Sequence, residues 1–356
     1  MKNILNYVEN NLSTFNKKKL TEVDALIFSW LSYYRIDEKY YHSYKNKLYI
    51  KDFYNKKFLE HMTYDLFDRE KSKILLSHLA SNERFRDVLM LEYVDNIDKK
   101  KEKQFAAMTF KIKNNEYVIS FRGTDHTFIG WKEDLNMSFL DSIPAQIAAK
   151  KYVEKVFKKY KGKFYIVGHS KGGNLSLYAT EYISDKYKNK IIEVYNFDGP
   201  NLNNLINKNI KNKIRIKKYV PQSSVVGMCF DKSYDYMIVK SNAVSVLQHN
   251  PFSWEVDNGN LKLLKNSTLD SKAFKNAINY LVDEFSKDEL KLFVNSLYEI
   301  IENTKVDTVE DFLKSINKNI SIIYNSFDNL DKNKKDIIFK ITKTFFIEIF
   351  KNPNKK

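Results

Sequence analysis

Short apolar runs alternate with amphipathic stretches through the middle of the chain. Two runs, 106–112 and 117–121, flank the polar segment Lys113–Glu116 and predict a β-hairpin. Residues 142–160 have the apolar spacing of a helix, as does the stretch through Leu175 and Tyr178. Further strands are predicted at 164–167, 191–197, 214–220 and 236–239. Strands separated by helices favour the α/β class, with a mostly parallel central sheet and helices on both faces.

The two ends of the chain differ in pattern from its middle. All nine glycines lie between Gly123 and Gly259, whereas residues 1–95 and 265–356 contain none. Both ends carry apolar residues at helical spacing. We therefore predict a helical N-terminal segment (1–95) packed on an α/β core (96–264), and a helical C-terminal region (265–356).

Composition narrows the class of protein. Hydrophobic residues make up 43% of the 356 residues, which is enough for a substantial core and argues against overall disorder. One cysteine, Cys229, excludes a disulfide framework and a cysteine-based zinc site. The first residues lack an apolar leader, and the sequence has no apolar stretch long enough to span a bilayer. We expect a cytoplasmic location.

The chain is basic, with 60 Lys and Arg against 44 Asp and Glu and a net charge of +16. The charge is diffuse, and its clusters at 17–19 and 99–101 are short and without interleaved aromatic residues. This pattern favours a solvated surface and makes nucleic acid an unfavoured partner. An anionic membrane surface is the alternative partner.

Candidate chemistry centres on the segment Gly168-His169-Ser170-Lys171-Gly172. It directly follows the apolar run 164–167 and precedes a helix. In this context, GxSxG places a serine on a sharp strand-to-helix bend with its hydroxyl exposed. The alternative is a glycine-rich phosphate-binding turn, but no GxGxxG or GKS pattern accompanies the segment. Ser170 is therefore the candidate nucleophile.

A serine hydroxyl needs a base within hydrogen-bond reach to become nucleophilic. In hydrolases built on such a bend, the chain order is serine, acid, histidine. Of the six histidines, only His249 follows Ser170, so His249 is the candidate base. Asp198, at the end of the predicted strand 191–197, is favoured as the acid, and Asp231 and Asp235 satisfy the same order.

The oxyanion of a tetrahedral intermediate needs preorganised donors. The backbone N–H of Lys171 should supply one, and the loop after an earlier strand should supply the other. The strand 117–121 leads into such a loop, so Thr124 is assigned as the second donor, with Asp125 as the alternative. Trp131 and Asp134 are expected to lock this loop, and His126 to lie at the rim.

These residues carry a family likeness. Phe121–Thr124, with Trp131 and Asp134 and the segment 168–173, resembles the class 3 lipase branch of the α/β-hydrolases. The chain looks more closely like an uncharacterised bacterial family of lipase-like proteins, through its Asp-Gly-Pro, Tyr-Val-Pro-Gln-Ser-Ser and Gln-His-Asn-Pro-Phe-Ser-Trp segments at 198–200, 219–224 and 248–254. The resemblance covers residues 20–260. It implies an α/β-hydrolase fold with Ser170 as nucleophile, His249 as base and Thr124 in the oxyanion hole.

Two positions depart from the class 3 lipases. Those enzymes usually have leucine after the serine, whereas Lys171 is expected to put a cation beside the site, which weakens the expectation of a triglyceride substrate. They also tend to take their acid from an Asp-x-Val-Pro segment, where this chain has Lys218. That difference favours Asp198 as the acid.

We therefore expect a serine hydrolase that cleaves a small-molecule or lipid carboxylic ester through an acyl-enzyme. The alternative is an inactive α/β-hydrolase scaffold that acts as a binding or membrane-surface protein. No cofactor or metal is expected, because the sequence has no HExxH and no clustered ligand spacing. Substrate identity, oligomeric state and a lid role for a C-terminal helix are left open.

Overall fold

A computed structural model describes residues 2–44, 47–125, 127–202, 214–232, 235–306 and 308–351. Within these residues, nine strands form one sheet in the order β1-β2-β3-β4-β5-β6-β7-β8-β11, and β9 pairs with β10. The strands are β1 (Leu48–Tyr49), β2 (Leu89–Asp98), β3 (Lys103–Lys113), β4 (Glu116–Phe121), β5 (Lys163–His169), β6 (Ile191–Phe197), β7 (Arg215–Pro221), β8 (Met237–Val239), β9 (Val256–Asp257), β10 (Asn260–Leu261) and β11 (Leu263–Leu264).

The centre of this sheet is parallel. Strands β4 to β8 pair in parallel, whereas β1 to β4 are joined by antiparallel pairs and β11 runs antiparallel to β8. The predicted hairpin is the β3–β4 pair. The predicted α/β sheet is thus confirmed, and antiparallel strands extend both of its edges. The carboxyl ends of parallel strands meet at one edge of a sheet, where sites in this class form.

Helices within the described residues precede, cover and follow the sheet. They are α1 (Ile4–Asn10), α2 (Glu22–Leu31), α3 (Glu38–Ser43), α4 (Ile50–Phe53), α5 (Lys56–Thr63), α6 (Arg69–Ser81), α7 (Phe128–Asn136), α8 (Pro144–Lys159), α9 (Lys171–Tyr182), α10 (Asp185–Lys188), α11 (Leu269–Glu284), α12 (Lys287–Glu302), α13 (Val309–Asp328) and α14 (Lys332–Phe350).

Strand β5 shows why both faces of the sheet are covered. Its side chains alternate between two buried clusters, because successive residues of a strand point to opposite faces. Tyr165 and Val167 belong to the cluster that includes the N-terminal helices, and Phe164 and Ile166 belong to the cluster that includes α8 and α9. A strand buried on both faces reads as a continuous apolar run, as 164–167 does.

The N-terminal segment is not helical throughout. Residues 1–95 were expected to form helices, but β1 lies within them and β2 begins at Leu89. The helical prediction is wrong there because β2 pairs with β3 from Leu89 to Asp98, which satisfies its backbone groups in the sheet. The helical prediction depended on the absence of glycine in this segment. That composition does not reveal the pairing with β3 that makes residues 89–98 a strand.

The described residues of the C-terminal region form helices α11 to α14. Its helices α11, α12 and α14 share a small apolar cluster that includes Leu281, Val294 and Ile337. The region also contacts the segment that follows β4, because Phe128 of α7 packs edge-on against Phe312 of α13. No helix among the described residues is both long and apolar enough to cross a bilayer.

Candidate active site at the carboxyl ends of the parallel strands

Ser170 lies on a sharp bend between β5 and α9. Its backbone has φ 58° and ψ −135°, a conformation that costs a non-glycine residue about 1–3 kcal/mol and must be held by its surroundings. Its N–H donates to the carbonyl oxygen of Phe197, at 2.9 Å. A Cβ atom at Gly168 would lie 2.0 Å from the carbonyl oxygen of Gly172, so the bend requires glycine there.

Asp198 and His249 meet beside this bend. Asp198 directly follows β6, is 1% exposed, and places Oδ2 2.6 Å from Nδ1 of His249. Its Oδ1 accepts from the Ser224 hydroxyl at 2.5 Å and from the Gly227 N–H at 3.2 Å. Because an ionised carboxylate can only accept, Nδ1 of His249 carries the proton and Nε2 is left as an acceptor.

The alternative acids lie elsewhere. Asp231 is buried, with Oδ2 2.8 Å from Nζ of Lys218 and Oδ1 3.7 Å from Nζ of Lys275. Asp235 is exposed. In β7, Lys218 occupies the position at which the resemblance to class 3 lipases implies an acid. A buried ammonium needs a counterion, and Asp231 is the counterion of Lys218. Asp198 is the carboxylate that contacts His249.

Thr124 lies in the loop after β4. Its hydroxyl donates to Oδ2 of Asp134 at 2.5 Å, which ties the loop to α7 and leaves the Thr124 backbone N–H as the candidate oxyanion donor. Burial raises the pKa of Asp134 to about 6, although the neighbouring Lys171 ammonium opposes the shift. Asp134 thus holds the loop as expected.

The neighbours of Thr124 have separate roles. Asp125 accepts hydrogen bonds from the backbone N–H and hydroxyl of Thr127 and forms an ion pair with Arg35, at 3.0 Å. Burial alone would raise the pKa of Asp125, but these bonds hold it below its usual value. Trp131 is 50% exposed. His126 lies outside the described residues.

The Lys171 ammonium lies beside the oxyanion loop, 3.8 Å from Oδ1 of Asp134, but it is buried and paired. The residue is buried, and its Nζ donates to Gln104 at 2.6 Å and to Glu133 at 2.9 Å. The side chain starts at the first turn of α9 and meets the buried Glu133 carboxylate of α7. The sequence gives no sign of this pairing, since the partners are 38 positions apart.

Two residues near the site were missed by sequence reasoning. Oη of Tyr33 lies 2.9 Å from Nδ1 of His169, and Nε2 of His169 lies 2.8 Å from the carbonyl oxygen of His249. His169 was set aside as a base because it precedes Ser170. Nothing in the sequence pointed to Tyr33 as a site residue, because it lies in the N-terminal segment, 136 positions before His169.

The described residues contain no group of three or more His, Cys, Asp or Glu side chains placed to hold a metal ion. The arrangement at the strand ends instead offers a hydroxyl on a bend, an imidazole held by a buried carboxylate, and backbone N–H groups in the adjoining loops. With the parallel strands and the serine bend, this is the architecture of an α/β-hydrolase.

The solved structures that are similar to this chain include three lipase structures. M37 lipase is 17% identical, with a TM-score of 0.35 over 57% of this chain and 67% of its own. A fungal lipase–inhibitor complex is 13% identical, with a TM-score of 0.37 over 62% and 80%. The Rhizomucor miehei lipase propeptide complex is also 13% identical, with a TM-score of 0.34 over 63% and 76%.

No curated protein matches the sequence. The sequence profile of the Mbeg1-like family matches residues 79–299, which is more than half of the chain and includes Ser170, Asp198 and His249. The chain therefore belongs to the Mbeg1-like family.

Proposed function

We propose that the protein is a serine hydrolase that cleaves a carboxylic ester through an acyl-enzyme. The observation that carries the proposal is the 2.6 Å contact between Asp198 and His249 beside the bend that presents Ser170. A buried carboxylate on Nδ1 orients the imidazole and leaves Nε2 to take a proton, which is the arrangement a serine nucleophile needs.

In the proposed reaction, Oγ of Ser170 attacks the carbonyl carbon and its proton passes to Nε2 of His249. The backbone N–H groups of Lys171 and Thr124 stabilise the oxyanion, and Asp198 stabilises the imidazolium. Collapse of the intermediate breaks the ester bond, and the leaving alcohol takes the proton from His249. Water then attacks the acyl-enzyme by the same route and releases the acid and Ser170.

The surface near the base supports an acyl substrate. The short 3₁₀ segment Ser245–His249, with the residue before it, exposes three apolar side chains: Val244 at 70%, Val246 at 58% and Leu247 at 51%. Exposed apolar groups beside a catalytic imidazole would favour the hydrocarbon part of an ester. The burial of Lys171 also removes the objection to a neutral ester.

A fluorophosphonate probe tests the proposal, because it reacts with activated serines. The wild type should be labelled, Ser170→Ala should not, and Ser142→Ala should be labelled like the wild type, since Ser142 bonds Tyr178 and not the site. Hydrolysis of p-nitrophenyl esters of graded chain length then gives the acyl preference. A folded wild type that is neither labelled nor active contradicts the proposal.

One observation favours the alternative of an inactive scaffold. Ser170 is only 8% exposed, which is low for a group that a substrate must reach. This alternative predicts no labelling, together with binding of a partner such as an anionic membrane. Sedimentation with anionic vesicles at low and high salt tests the binding, because charge-driven association weakens as salt rises.

A further inference from the structure

The hydrogen bonds around His169 fix its protonation. A carbonyl oxygen can only accept, so Nε2 of His169 must carry the proton that it shares with the His249 carbonyl, at 2.8 Å. Burial lowers the pKa of His169 well below its ordinary value, as does the neighbouring His249, so the ring is neutral and its Nδ1 is bare. Tyr33 therefore donates its hydroxyl proton to Nδ1, the nearer acceptor at 2.9 Å, and its oxygen also lies 3.3 Å from the His169 carbonyl oxygen.

The Tyr33 hydroxyl also lies against the oxyanion loop at Gly123, close to Ser170. A Cβ atom built at Gly123 would lie 2.0 Å from Oη of Tyr33 and 2.9 Å from Cβ of Ser170. The oxyanion loop, Ser170 and Tyr33 are therefore packed so closely that no side chain fits at position 123.

These contacts join three separate parts of the site. Tyr33 packs against the Gly123 end of the loop that carries Thr124, and its bond to His169 leads to the backbone of the base loop at His249. The N-terminal segment therefore contributes a residue to the site. Tyr33 follows α2, and α2 packs on β4, β5 and β6.

We propose that Tyr33 and His169 are a positioning pair that sets the oxyanion loop and the base loop against Ser170. The proposal rests on the proposed hydrolase function. Neither residue exchanges a proton with substrate; together they fix distances on which the proton transfer depends. Removing either one should slow the chemical step and leave substrate binding unchanged.

Tyr34 provides a matched control for the activity test. It is the neighbouring tyrosine, is also buried, and donates its hydroxyl to the Ser72 carbonyl at 2.6 Å, away from the site. Tyr33→Phe should lower kcat by about tenfold or more with KM within about twofold. Tyr34→Phe should lower the melting temperature and keep kcat near that of the wild type.

A double-mutant cycle tests whether the two residues act as one unit. His169→Gln should lower kcat as Tyr33→Phe does, and the double variant should be no slower than the slower single variant, because residues in one network are not additive. Equal kcat losses in Tyr33→Phe and Tyr34→Phe would overturn the proposal that Tyr33 and His169 act as a positioning pair. Losses that multiply in the double variant would also overturn it.

A measurement without substrate separates this proposal from the proposed function. In ¹⁵N NMR spectra of the imidazoles, assigned through His169→Gln, His169 should be protonated at Nε2 only, and Tyr33→Phe should move its Nδ1 signal downfield. An unmoved signal would overturn the pair even in an active enzyme. An inactive wild type with the expected signals would overturn the hydrolase function and, with it, the positioning role.

Discussion

The imidazole rings of His169 and His249 lie with their centroids 4.5 Å apart and hydrogen-bond through different nitrogens. His249 uses Nδ1 to reach the Asp198 carboxylate, and His169 uses Nε2 to reach the His249 backbone carbonyl. The candidate base is therefore held at both its side chain and its backbone. Rotation of its ring and displacement of its loop are restricted by separate contacts.

The burial of His169 predicts a pH dependence of stability. In the unfolded chain, this histidine takes up a proton below about pH 6.5, whereas in the folded chain its lowered pKa keeps it neutral. The unfolded state then binds more protons, so the free energy of unfolding falls as the pH falls, by at most about 1.4 kcal/mol per pH unit.

Urea unfolding at pH 7.5, 6.5 and 5.5 measures this effect against His169→Gln. The stability advantage of the wild type over the variant should shrink on acidification, because glutamine does not titrate. A constant difference between the two proteins across this range would show that His169 does not stay neutral in the folded chain.

Replacing the candidate acid should slow turnover strongly. Asp198→Asn keeps the shape of the side chain but removes the charge that holds the His249 tautomer, so kcat should fall by about 10³-fold to 10⁴-fold. Ester hydrolysis by folded protein at low temperature measures this.

Asp231→Asn is the comparison variant for the acid. Because Asp231 pairs with Lys218, its loss should lower stability by about 3–5 kcal/mol, and kcat of the folded fraction should stay close to that of the wild type. A strong loss of kcat in Asp231→Asn, with little loss in Asp198→Asn, would move the role of acid to Asp231.

The buried pair of Lys171 and Glu133 predicts a loss of stability without a change of substrate preference. Lys171→Leu leaves the Glu133 carboxylate buried without its cation, which should cost about 3–5 kcal/mol. Adding Glu133→Gln should recover part of that loss. Denaturant unfolding of the three proteins checks both statements.

The same variant tests whether the ammonium faces substrate. Since the Lys171 ammonium is buried and paired with Glu133, the ratio of rates on neutral and anionic esters should be the same in Lys171→Leu and the wild type. A shift of this ratio toward neutral esters would place the Lys171 charge within reach of substrate.

Gly123→Ala should destabilise the oxyanion loop, because the added methyl group would collide with Tyr33. The added methyl would lie 2.0 Å from Oη of Tyr33 and 2.8 Å from the carbonyl oxygen of His169, so the loop must shift, at a cost of about 1–3 kcal/mol. Thermal unfolding should show partial recovery when Tyr33→Phe removes the first of these contacts. A double variant less stable than Gly123→Ala would contradict this explanation.

Much of the core was predictable because its signals are local. The apolar run 164–167 and the glycines around Ser170 indicate a strand and a bend, since steric limits act on neighbouring residues. His249 was assigned as the candidate base from order along the chain. The choice of Asp198 over Asp231 depended on its place at the end of a predicted strand and on Lys218, and in the structure Lys218 pairs with Asp231.

The remaining features could not be predicted because they depend on contacts between distant segments. Strand β2 forms through its pairing with β3, and its own sequence has no turn residues that would separate it from the helices before it. Lys171 turns toward Glu133 only once α7 and α9 are packed. Tyr33 reaches the site through the packing of the N-terminal segment, which no pattern within that segment reveals.

Mapping of a single covalent adduct tests the central claim most directly. After exposure of the folded wild type to the fluorophosphonate, mass spectrometry should find one adduct per chain, located on Ser170 and formed much more slowly in His249→Gln. An unmodified folded chain, or an adduct on another serine, would contradict the assignment of Ser170 as the nucleophile.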